Sequence, residues 1–415
     1  MITDENKKKG EHIMNDIDAY REIIGDKLFF DLFKKARRLT SKAILNINST
    51  AQGGGVAEIL ESLIILMNEL GIYAGWRILH GSPDFFTITK KFHNALQGGS
   101  INLTEIKKKL YLQVNQEFSV FTHINNHDAV VIHDPQPLPL IKYYKKKQPW
   151  IWRCHIDLSN PHPELWHYLE NFILRYDKII ISSDKYRSEK LPVPQKVISP
   201  AIDPLSLKNK ELSQQDITKY RKKYKILDDK PIMTQISRFD YLKDPLGVIK
   251  VFEKVRSHID CRLVLCGSMA TDDPEGIKVY QQIIKAAQKM IDKKDIIILN
   301  VENDILVNVL QRISNVIIQK SIKEGFGLTV SEALWKETPV VASNVGGIPL
   351  QITDGKNGYL VNPLDYDGFA ERIIYLLENP SEAERIGKKG KETVKEKFLI
   401  TRLFVDYVDL LNEMI

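Results

Sequence analysis

Short apolar runs rich in β-branched residues alternate with longer amphipathic stretches almost from end to end of this 415-residue chain. That rhythm restricts the fold more than any other feature. In the first half, the runs Ala43–Asn48, Tyr73–Leu79, Ala129–Ile132, Ile151–Cys154, Lys178–Ser182 and Lys196–Ile198 are predicted strands. The second half repeats the pattern at Ile232–Ile236, Arg262–Cys266, Ile296–Leu299, Val316–Ile318, Pro339–Ala342 and Gly358–Val361. The clearest helix between strands is Val56–Leu70, which sets Val56, Ile59, Leu60, Leu63, Met67 and Leu70 on one face before Gly71 ends it. Such alternation argues for an α/β architecture of parallel sheets with helices on both faces. The chain exceeds the size at which one core stops growing, so two α/β domains are expected. Pro192, Pro194, Pro200 and Pro204 put the boundary near Ser199–Asp203. Residues 1–200 would form the first domain and 201–394 the second. The final amphipathic segment, Ile400–Ile415, has no strand after it, and a return of about 395–415 to the first domain would give it a surface to cover.

Charge narrows the partners. The chain carries 59 basic and 53 acidic residues, a mild net charge of +6, and the excess is spread out. Clusters such as Lys107–Lys109 and Lys145–Lys147 adjoin apolar periodic segments and read as solvated faces, not as the stripe that nucleic acid requires. A small anionic ligand suits this charge. The segment Met1–Tyr20 is charged and does not read as a secretory signal, and no apolar run approaches the ~18 residues of a membrane span. Cys154, Cys261 and Cys266 have neither metal-ligand nor redox-motif spacing, which fits a reducing, cytoplasmic setting.

Four segments carry possible chemistry. Asn48–Glu58 contains Gly53, Gly54 and Gly55 between the first strand and its helix, where free N–H groups suit phosphate or sugar oxygens; a tight turn without a ligand is the plain alternative. Ser237–Pro245 puts Arg238 and Lys243 at a strand's carboxyl end, where open α/β sheets bind ligands; both could equally be surface cations of a Lys-rich chain. Lys323–Ala333 spaces Glu324 and Glu332 around Gly325, Phe326 and Gly327, with Leu328 and Thr329 opening a helix able to meet phosphate. In Arg153–Asp157, His155 ends a strand, and in His133–Pro137, Asp134 does the same; a satisfied core histidine and an ordinary Asp-Pro turn are the commoner cases. Dinucleotide and P-loop fingerprints, zinc and calcium spacings and the Gly-x-Ser-x-Gly elbow are all missing.

Taken together, Ser-Arg-Phe-x3-Lys-Asp-Pro at Ser237–Pro245, Glu-x7-Glu at Glu324–Glu332, the stretch Thr338–Gly347 and the glycine loop resemble the retaining GT-B glycosyltransferases of family 4. Within that group, Asn48–Glu58 with His133–Pro137 and His155–Pro161 resembles trehalose synthases of the glycosyltransferring kind. The resemblance implies two Rossmann-like domains facing across a cleft, with the C-terminal helix crossing back. It implies transfer of glucose from a nucleotide-diphosphate glucose (UDP, ADP or GDP) to free glucose, with no cofactor required and magnesium not indicated. By position, Arg238 and Lys243 would grip the diphosphate, and Glu324, with Gly325 and Phe326, would contact the donor sugar. Gly327 would form part of the same turn, Leu328 and Thr329 would meet phosphate, and Glu332 would bind ribose. His155 would sit beside the reacting carbon, Gly53–Gly55 would let the first domain close, and Asp134 would belong to the acceptor side. Small-molecule substrates, neither nucleic acid nor membrane, would be the partners, and surface apolar segments would support a homodimer. Sucrose-type, mannosyl or polysaccharide transfer remains an alternative, as does a non-catalytic sugar- or nucleotide-binding protein.

Overall fold

The structure is a computed structural model that describes residues 17–51, 54–267 and 274–415. Six strands form each of two sheets. The first contains β1 (Ala43–Asn48), β2 (Tyr73–Ile78), β3 (Ala129–His133), β4 (Trp150–Arg153), β5 (Lys178–Ile181) and β6 (Gln195–Val197), in the order β2-β1-β3-β4-β5-β6. The second contains β7 (Ile232–Ile236), β8 (Arg262–Gly267), β9 (Ile296–Asn300), β10 (Val316–Gln319), β11 (Val340–Ser343) and β12 (Tyr359–Val361), in the order β12-β11-β10-β7-β8-β9. Neighbouring strands pair in parallel, as in the registers Ile44↔Ala129 and Met233↔Leu263. The sequence explains why. β3, β4, β7 and β10 are buried along their whole length, which requires helices over both faces and leaves no solvated side for an antiparallel hairpin. Among the described residues no helix is long and apolar enough to cross a membrane.

Helix starts follow local chemistry. Ser82, Thr104, Ser213 and Asn303 each accept a hydrogen bond from the helix they precede, and proline follows Ser82 at the first position. The chain passes between the sheets through residues 199–213, and the end of the chain crosses beside it. Ile202 N–H donates to Phe398 O at 2.8 Å, Ile400 N–H to Ile202 O at 2.9 Å, and Arg402 Nη2 to Ser199 O at 2.7 Å. Helix Ile400–Met414 then returns to the first sheet. Its Leu403, Phe404, Tyr407, Val408 and Leu411 share one core with Ile44, Leu63, Met67 and Val131.

Each sheet has one point at which consecutive strands depart to opposite sides, between β1 and β3 in the first and between β7 and β10 in the second. Loops at the carboxyl ends of those strands diverge and leave a crevice. The two crevices face each other.

Candidate active site

On the second sheet, β7 runs into Ser237–Arg238 and a short turn, Tyr241–Lys243, in which Asp240 accepts from Leu242 N–H at 2.7 Å. Ile322 N–H donates to Leu242 O at 2.8 Å and ties this turn to the loop after β10. Lys243 Nζ consequently meets Glu324 Oε2 at 2.5 Å, with the side chains 19% and 10% exposed. The same oxygen accepts from Gln319 Nε2 and Ser321 Oγ, both at 3.1 Å. Arg238 is not drawn into the pair. It is 55% exposed, and its ionic neighbour is Asp240 at 3.9 Å. Gly327 has φ +82°, a conformation that suits glycine, and turns the chain into helix Leu328–Trp335. Leu328 and Thr329 open that helix without a side-chain cap. Glu332 is buried one turn on and accepts from Gln311 Nε2 at 2.9 Å.

On the first sheet, Asp134 follows β3 with φ +62° and accepts His155 N–H at 2.8 Å. Burial pushes its carboxyl up to about 6, despite that hydrogen bond and the Arg153 charge. His155 Nε2 lies 3.1 Å from His133 Nδ1, and burial, reinforced by the Arg153 cation and His133, holds the His155 ring well below its ordinary value. Arg153 itself is buried, with Nη2 donating to Ser182 Oγ at 3.3 Å.

The two halves touch at backbone level. A methyl group on Gly325 would stand 2.7 Å from His155 O, and Tyr186 Oη donates to Gly325 O at 2.8 Å. Lys323 Nζ bonds Gln97 O, again across the cleft. A methyl on Gly55 would lie 2.8 Å from Leu328 Cδ1, so the glycine loop reaches the opening of the Leu328–Trp335 helix. Gly54 is extended and caps helix Gly55–Glu69; Gly53 lies outside the described residues. Glu324, Lys243, Gly325, His155 and Asp134 are thus brought into one region, whereas Glu332 lies deeper, beside the interdomain chain.

Sequence reasoning missed several residues. Lys208, from the interdomain segment, bonds Glu58 Oε1 and stands 3.8 Å from Asp304 and 4.0 Å from Glu332. Burial pulls its ammonium down, but Glu332, Glu58 and Asp304 together outweigh this and raise it. His93, on helix Pro83–Leu96, is lowered to about 4 by burial and then by Arg238, so a neutral imidazole lies within the field of the two cations. Asn308 donates to Leu207 O and Lys210 O of the interdomain segment, at 3.0 and 2.8 Å. None has a local signal, since each acquires meaning only from an element distant in sequence. Among the described residues no group of three or more His, Cys, Asp or Glu side chains converges as a metal site would need.

Known proteins give the family. Residues 46–188 match the family model "Trehalose synthase, N-terminal domain", and residues 216–393 match "Glycosyl transferases group 1". The trehalose synthase of Thermococcus litoralis is 47% identical over 399 residues, covering 95% of this chain and 96% of that protein. That of Pyrococcus horikoshii is 44% identical over 401 residues, covering 96% of each. An E. coli structure described as trehalose-6-phosphate bound with UDP-2-fluoro glucose superposes with a TM-score of 0.73 at 15% identity, covering 90% of this chain and 100% of that one, which speaks for the fold. With two GT-B half-folds, a family model on each, and relatives aligned along nearly their whole length, the chain belongs to the trehalose synthase family of GT-B hexosyltransferases.

Proposed function

We propose that this enzyme transfers glucose from a nucleotide-diphosphate glucose to free glucose with retention, forming trehalose reversibly. The observation that carries the reading is the Lys243–Glu324 pair, held at the second sheet's crevice and abutting His155 of the first through Gly325. The E. coli neighbour carries UDP-2-fluoro glucose in the same fold, which supports a nucleotide-sugar donor. Residues 201–394 act as the donor domain, and residues 1–200, with about 395–415, act as the acceptor domain.

In this reading Arg238 and Lys243 grip the diphosphate, and Leu328 and Thr329 N–H groups meet a phosphate at the helix N-terminus. Glu324 receives hydroxyls of the donor sugar, Gly325 and Phe326 add backbone contacts, and Glu332 takes ribose hydroxyls. Asp134 lies on the acceptor side, and Gly53, Gly54 and Gly55 allow closure. The bond from the anomeric carbon to phosphate breaks as the bond to the acceptor oxygen forms on the same face. The acceptor proton passes to the departing phosphate, while the two cations offset the charge developing there. Closure excludes water, whose attack would waste the donor.

Incubation with UDP-, ADP- or GDP-glucose plus free glucose, with the product's linkage identified, tests this function. An α,α-1,1 disaccharide is expected; free glucose alone would refute it. A glycosyl adduct trapped on Glu324 in the wild type, and absent in Glu324→Gln, would overturn the non-covalent role given to Glu324.

A further inference from the structure

Three polar side chains stand in a row across β1, β3 and the segment that follows β4, and the roles above use only the last. Asn46 lies within β1, His133 ends β3, and His155 follows β4 by two residues. His133 Nε2 lies 3.1 Å from Asn46 Oδ1, and His133 Nδ1 lies 3.1 Å from His155 Nε2. The two rings are nearly parallel, 18° apart with centroids separated by 5.4 Å, so the contact is a directed one between ring nitrogens.

This row has a direction. With the Asn46 amide oxygen facing the ring, His133 carries its proton on Nε2, because an amide oxygen only accepts. Both rings are neutral at ordinary pH: burial and the Arg153 cation bring His133 down to about 3 and hold His155 well below its usual value. A neutral imidazole has one proton, so His133 Nδ1 is bare and can only accept, and the proton between the rings belongs to His155 Nε2. By the same count His155 Nδ1 is bare, and among the described residues it meets no hydrogen-bond partner. Asp134 holds the backbone of the same residue through His155 N–H.

We propose that His133 and Asn46 are positioning residues that lock His155 as the Nε2–H tautomer, so that its bare Nδ1 presents an acceptor to a sugar hydroxyl. A histidine able to tautomerise would serve equally as donor or acceptor; locked, it selects a hydroxyl that donates. The functional part rests on the reading that His155 borders the reacting sugar, whereas the tautomer does not. Were the Asn46 amide turned over, its Nδ2, which has no partner among the described residues, would donate to His133, and the proton on His155 would move to Nδ1.

The test uses the full chain, without ligand, labelled with ¹⁵N-histidine, with His155 assigned from its loss in His155→Gln. The expected spectrum has Nε2 protonated and Nδ1 bare in both His133 and His155. A proton on His155 Nδ1, or averaging between tautomers, overturns the proposal whatever the enzyme's substrates are. The kinetic arm compares His133→Leu with His133→Gln, whose amide can accept from His155 and donate to Asn46. His133→Leu should lower kcat on the order of ten-fold or more, as for other lost partners of working histidines, and His133→Gln should recover most of it. Equal losses in the two variants would overturn the positioning role. A locked tautomer without trehalose formation would instead remove the functional reading and leave the lock standing.

Discussion

Lys243 and Glu324 are 81 residues apart in sequence and form a largely buried ion pair. Removing one member of such a pair leaves the other charge underserved, which costs more than removing both. Lys243→Met should therefore destabilise the enzyme by about 1–3 kcal/mol, and Lys243→Met with Glu324→Gln by less, as read from urea midpoints. Both should lose turnover by about 10² or more if Lys243 offsets charge on the leaving diphosphate. A single variant as stable as wild type would show that the pair does not hold the loop. Asp134 makes a second case, through pH. Burial keeps its carboxyl near 6 in the folded enzyme, above the value of about 4 in an unfolded chain. The folded state therefore binds the proton more tightly, and this contribution is complete below about pH 4 and lost as pH rises through about 6. Asp134→Asn keeps the neutral form at every pH, so its stability relative to wild type should improve from pH 5 to pH 8, by about 1 kcal/mol. An unchanged difference between the two pH values would contradict the raised carboxyl. Lys243 and Glu324 were legible because their motifs have recognisable spacing. His93 and Lys208 were not, since neither has a motif and each meets charges far away in sequence, His93 those of Arg238 and Lys243 and Lys208 that of Glu58.

At the scale of elements, strand cores were legible and strand ends less so. The run predicted as Ile151–Cys154 is β4, Trp150–Arg153; Cys154 is equally apolar and still donates to Ile180 O at 2.9 Å, but it lies past the end of the ladder. Hydropathy sees burial, and burial continues where pairing stops. The loop after β10 shows the opposite limit, because the glycines were visible in sequence but their reasons were not. A methyl on Gly325 would meet a backbone oxygen, His155 O, at 2.7 Å, and neither side can rotate away. A methyl on Gly55 would meet the far end of the Leu328 side chain at 2.8 Å, which can move. Gly325→Ala should force the halves apart and lower kcat/KM by at least ~10², since small displacements of a reacting group are that costly. Gly55→Ala should lose far less. Equal losses would mean that close approach of the two halves at Gly325 is not what the loop supplies.

Over the whole molecule, two parallel sheets were legible because their period is written in every strand, while the way the sheets are joined was only partly so. The amphipathic face of Ile400–Met414 showed that the last helix must cover something. It did not show that Arg402 would clasp Ser199 O and Pro200 O, or that Ile202 would pair with the chain's end beside the crossing. The helix does more than cover a surface. Lys35 meets Asp409 at 2.7 Å, Asn412 Nδ2 donates to Lys35 O at 3.2 Å, and Phe404 is fully buried among first-sheet residues. If it were a trailing appendage, truncating Phe404 would scarcely alter unfolding. As part of the first core, Phe404→Ala should leave a cavity and cost about 3–5 kcal/mol, lowering the unfolding transition of the first half in calorimetry. Phe404 belongs to the first core and has none of the site roles given above, so kcat of the folded fraction should stay near wild type at low temperature. A stability loss with kcat retained would make the returning helix a structural clamp on the first half. A loss of kcat without a loss of stability would instead mean that the clamp sets how the halves meet at His155 and Gly325.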